Sequence, residues 1–127
     1  MLGRVVYFMS VMMILSSCSR YIDMTASYYR NHVPVFIFSD RTCLEEFSVY
    51  APGPDKRYLW GIVAEDGCVI IEKLEYGYVP DGFRVTVELN SLRDGVVYAA
   101  MAYARNGRGY LEFSFSGHEI LQGDLYK

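Results

Sequence analysis

Polar and apolar positions alternate most cleanly over Phe83–Leu89, where Phe83, Val85, Val87 and Leu89 are interleaved with Arg84, Thr86 and Glu88. A period of two belongs to a strand with one face buried. From Val33 onward the chain keeps this habit, with short apolar or alternating runs parted by turn residues at near-regular spacing. The runs are Val33–Phe38, Cys43–Tyr50, Tyr58–Ala64, Cys68–Tyr76, Phe83–Leu89, Val96–Ala104 and Tyr110–Phe115. Between them stand Pro52-Gly53-Pro54-Asp55, Asp66-Gly67, Pro80-Asp81-Gly82 and the glycine-rich Asn106–Gly109, a hairpin signal. Pro34 confines the first run to a sheet edge or a strand start. No helical stripe rivals these runs. The pattern predicts an all-β domain over 33–127, a seven-strand β-sandwich, with a small barrel as the alternative for the glycine-rich hairpin.

The first seventeen residues follow a different rule. Arg4 and the amino terminus are followed by Val5–Leu15, apolar except at Ser10. As a helix this stretch would reach about 16 Å, half of a hydrocarbon core. It therefore reads as the core of a secretory signal. Leu15-Ser16-Ser17-Cys18 then resembles the lipobox of bacterial lipoproteins, an apolar residue and two small ones before a cysteine. The resemblance implies cleavage after Ser17 and acylation of Cys18. Two or three acyl chains hold far more firmly than one. Ser19 in place of Asp implies, by the sorting rule of that family, the periplasmic face of an outer membrane. Residues 18–32 are mixed and polar with no clean period, and read as a lipidated tether or a loosely packed arm, with Tyr28 and Tyr29 as the residues to dock it onto the domain.

Leu92, Gly95 and Tyr98 are spaced L-x-x-G-x-x-Y, and Ala100, Ala102, Ala104, Asn106 and Gly107 follow. This run resembles the tyrosine corner and adjoining strand of fibronectin type III domains. It implies that the Tyr98 hydroxyl bonds backbone near Leu92–Gly95. The single tryptophan departs from that family. It lies in Leu59-Trp60-Gly61-Ile62, the third predicted strand, as in immunoglobulin-like domains. The resemblance therefore extends to the class, an immunoglobulin/fibronectin-III-like sandwich.

Composition narrows the function. The 127 residues are 52% hydrophobic and 21% charged, with net charge −3, which excludes disorder and leaves no basic excess for nucleic acid. Three cysteines are an odd number. With Cys18 acylated, Cys43 and Cys68 remain to pair in an exported chain, the alternative being two buried thiols. Histidine occurs only at positions 32 and 118, and no HExxH, CxxC or nucleophile-elbow spacing is present. We expect no catalytic site, metal or cofactor.

Aromatic residues are the one surplus, with twelve tyrosines. Trp60, Tyr76 and Tyr78 could form a platform for sugars or peptides, or Trp60 could be the core tryptophan with Tyr76 packed beside it. The loop from Tyr76 to Phe83, with Tyr78 and Asp81 between, is the expected recognition surface. The layout of lipobox, short tether and cysteine-paired sandwich resembles small periplasmic lipoproteins, some of them proposed immunity proteins against toxins of type VI secretion systems. The expected role is a membrane-anchored, non-catalytic module with a protein partner. A small-ligand or glycan-binding module is the alternative.

Overall fold

A computed structural model describes residues 20–28, 33–116 and 119–123. Leu15, Ser16, Ser17 and Cys18 lie outside the described residues. The fold is an all-β sandwich. Its strands are β1 (Arg20–Tyr21), β2 (Met24–Tyr28), β3 (Pro34–Ala51), β4 (Arg57–Ala64), β5 (Val69–Glu75), β6 (Phe83–Val87), β7 (Tyr98–Ala104), β8 (Gly107–Ser116) and β9 (Glu119–Gly123).

β3 organises the molecule. Its 18 residues include two runs that the hydrophobic pattern predicts as separate strands. Ser39-Asp40-Arg41 interrupts the apolar pattern without ending the strand, because neighbours hold the backbone there. The Ser39 N–H donates to Asp23 O at 3.0 Å, and the Thr42 hydroxyl donates to Asp40 O at 3.0 Å. Opposite this bend the β5 register jumps, from Ile37↔Lys73 to Thr42↔Ile71. A bulge of this kind bends a strand sharply.

The bend makes two layers out of one strand. Phe36 and Phe47 would stand about 36 Å apart if β3 were straight. Their ring centroids are instead 4.9 Å apart, so the two halves of β3 face each other across the core. Such a strand, shared between sheets, makes a sandwich corner. The second half of β3 pairs with β4 and β7, and the first half with β2 and β5. Phe113 on β8 and Trp60 on β4 complete the aromatic centre, with Phe36–Phe113 at 5.4 Å and Phe47–Trp60 at 6.1 Å. Ala100 and Ala102 on β7, both fully buried, leave room for these rings.

Three further differences from the sequence reading have physical causes. The 18–32 tether is cut short: residues 24–28 form β2, antiparallel to β3, with Met24 and Ala26 buried in the core. Two core-facing side chains are too few to set a visible period. β9 likewise pairs with β8 beyond the last predicted run, and the described residues form nine strands where seven are expected. Finally, the cleanly alternating β6 buries only Phe83. Among the described residues it pairs with β4 alone, and Val85 on this outer strand remains exposed.

Cys43 and Cys68 are disulfide-bonded, with Cα atoms 5.2 Å apart, within the usual bridging range. The bridge ties the Glu65–Cys68 excursion between β4 and β5 to the middle of β3.

Candidate functional site

A recess lies along β5. It has a volume of about 630 Å³ and is lined by Val35, Arg41, Ile70, Lys73, Tyr78 and Pro80, among others. Among the described residues β5 pairs only with β3, so its other edge is open. The bend of β3 also shapes this groove. Ile71 and Leu74 turn inward on either side of the register jump, which leaves Ile70 outside at 58% exposure.

The Tyr76–Phe83 loop forms one wall. Its two ends are core and its middle is surface, which corrects the expectation that Tyr76 and Phe83 belong to the recognition surface. Tyr76 is 6% exposed, stacks edge-on against Trp60 at 5.3 Å and donates its hydroxyl to Asn90 O. Burial, and secondarily the field of Tyr98, raises its pKa well above the ordinary tyrosine value. Phe83 is likewise 6% exposed, and its N–H donates to Pro80 O at 3.2 Å. Between these anchors Gly77 takes a φ of 88°, and the Tyr78 N–H returns to Glu75 O at 3.1 Å. Tyr78 is thereby held outward at 62% exposure, beside exposed Asp81. Trp60 is 1% exposed, so of the three platform aromatics only Tyr78 faces solvent.

The groove mixes apolar surface with charges of both signs. Arg41 and Glu72 approach to 3.8 Å, but both are highly exposed and the pair is screened by water. Neither Arg41 nor Ile70 is conspicuous in the sequence. Ile70 sits in a continuous apolar run, Val69-Ile70-Ile71, whose parity does not reveal which residue faces out.

A second recess, of about 300 Å³, lies at the end of the sandwich where β3 turns into β4. Ala51, Leu59, Val96 and Tyr98 line it together with Arg57 and Arg93. The tyrosine corner holds its rim: the Arg93 N–H donates to the Tyr98 hydroxyl at 2.7 Å. Gly95, at φ 78°, sends its N–H to Phe115 O at 2.9 Å, and Leu92 packs partly buried against the core. Among the described residues, no three His, Cys, Asp or Glu side chains converge as metal ligands. No family model, curated protein or solved structure matches the chain.

Proposed function

We propose that this chain is a lipid-anchored protein of the bacterial cell envelope, acylated at Cys18 and held on the periplasmic face of the outer membrane. There it binds another protein without catalysis, and neutralising a secreted toxin is the specific form of that role. The observation that carries the binding role is the β5 groove, where Ile70 and Tyr78 stand exposed beside a strand edge that pairs with no other strand among the described residues. Open edges accept an added strand through main-chain hydrogen bonds, and flanking side chains select the sequence. Tyrosine is well suited to such contacts because it offers a large area at low entropic cost.

The test compares the acylated wild-type chain with Tyr78→Ala and Ile70→Glu, using cross-linking in intact membranes followed by recovery of the complex. Both side chains are exposed, so each variant should stay within about 0.5 kcal/mol of wild-type stability. The cross-linked partner should disappear in both. Equal recovery from all three proteins refutes the groove as the binding site. Membrane attachment that survives Cys18→Ser refutes the anchor.

The second reading, a small-ligand module, draws on the recess bounded by Arg57 and Arg93. Binding that is lost in Arg57→Gln with Arg93→Gln, yet kept in Tyr78→Ala, would favour it.

A further inference from the structure

Strand β1 fixes where the N-terminal arm lies on the sandwich. Arg20 pairs with Gly107 and Tyr21 with Arg108, parallel to β8, and the Ile22 N–H donates to Arg108 O at 3.0 Å. The approach is close enough to require glycine at position 109. A Cβ there would lie 2.6 Å from Ile22 O, nearer than a carbon can approach. The chain thus enters the fold already docked at the β7–β8 turn. Only Ser19 separates Cys18 from Arg20, and two residues of chain span at most about 7 Å.

We infer that the anchored protein stands directly on the membrane with no stalk, and that the end bearing the β7–β8 turn packs against the lipid headgroups. The inference rests on the acylation of Cys18 proposed above. Four segments meet at this end. The N-terminal arm, the β3 bend and the β7–β8 turn share a recess of about 210 Å³ lined by Tyr21, Asp23, Asp40, Arg41 and Arg105. The Glu65–Cys68 excursion joins them through the disulfide and through Gly67, whose Cβ position lies 3.3 Å from the Arg105 guanidinium. Arginines and carboxylates are both present, so the end is suited to a zwitterionic or mixed headgroup layer and is not a one-sign patch.

The Pro52–Lys56 turn and the Arg57/Arg93 recess lie at the other end, about 20 Å away along the seven residues of β7. β5 runs from Leu44's neighbour Val69, close to the lipid, to Val35's neighbour Glu75, far from it. The β5 groove therefore stands upright on the membrane and is open to a partner approaching from the side.

Spin labels at Asn106→Cys and Asp66→Cys, against Asp55→Cys and Ser91→Cys, test the orientation in vesicles holding the acylated full chain and a nickel-chelating lipid. All four sites are exposed, so labelling should leave the fold intact. Relaxation by the headgroup nickel should be several-fold stronger at positions 106 and 66 than at 55 and 91. Equal or reversed relaxation in protein whose Cys18 acylation is established by mass spectrometry overturns the orientation alone. Absence of the acyl group overturns the anchor and the orientation together. Inserting about ten Gly/Ser residues after Ser19 supplies a flexible stalk. That insertion should leave attachment intact and erase the difference between the two ends.

Discussion

Tyr76 and Tyr98 show how much depends on a single hydroxyl. Each ring fills the core, and each hydroxyl bonds the backbone of the segment joining β6 to β7: Tyr76 donates to Asn90 O and Tyr98 accepts from the Arg93 N–H. Ionising Tyr76 would remove its donor and leave a charge in an apolar site, so burial raises its pKa above the ordinary 10.0. Burial raises the pKa of Tyr50 and Tyr110 as well. The folded state therefore holds these phenolic protons more tightly than the unfolded chain does. Stability from this source is complete below pH 10 and is lost as pH rises through the folded values. Denaturant midpoints should be flat from neutral to about pH 9 and fall above pH 10. Tyr76→Phe should lower the neutral-pH plateau by about 1 kcal/mol and make the alkaline fall shallower.

At the scale of elements, β3 and the two strands that follow it act as one unit. β4 and then β5 run antiparallel along β3, and the Cys43–Cys68 bridge spans the excursion between them. Closing a 25-residue separation restricts the unfolded chain by about 3–4 kcal/mol in the entropy model. Cys43→Ala with Cys68→Ala should therefore lower the unfolding free energy by about that amount, measured by urea titration. Loss of less than about 1 kcal/mol would mean that pairing with β3 alone holds β5 in place. Much of this unit is legible in the sequence. The Pro52–Asp55 turn, the Asp66-Gly67 turn and the cysteine spacing all stand out. The continuity of β3 through Ser39-Asp40-Arg41 does not, because the groups that hold it, Asp23 O among them, arrive from another part of the chain.

At the scale of the whole molecule, the pairings run from β2 through β3, β7 and β8 to β9. Among the described residues, the Gln122 side chain crosses the gap between β9 and β2. The Gln122 amide donates to Ala26 O at 3.1 Å and accepts the Ala26 N–H at 2.8 Å, in place of a backbone ladder. Gln122→Ala should cost about 1 kcal/mol and speed amide exchange at Ala26 more than at Phe47. Uniform exchange changes would show that the gap is closed by other contacts. This closure also explains why residues 24–28 are part of the domain. β2 is held on one side by β3 and on the other by Gln122 from the far end of the chain.

The chain's own pattern determined the all-β class, most strand positions, the turns and the identity of the candidate disulfide partners. Each of these depends on neighbours within a few residues or on a count of residue types. The L-x-x-G-x-x-Y spacing likewise places Tyr98 within reach of the Arg93 backbone. Only the tertiary structure decided that β3 crosses both layers, that β2 and β9 join the sheet, and that Tyr76 and Phe83 face inward while Tyr78 faces out. A period of two says which residues share a face of a strand. It does not say whether another layer covers that face, and β6 shows the consequence, with Val85 in perfect alternation yet open to solvent. The groove along β5 belongs to this second kind of information, because it exists only where a bend, an open edge and a loop anchored at both ends meet.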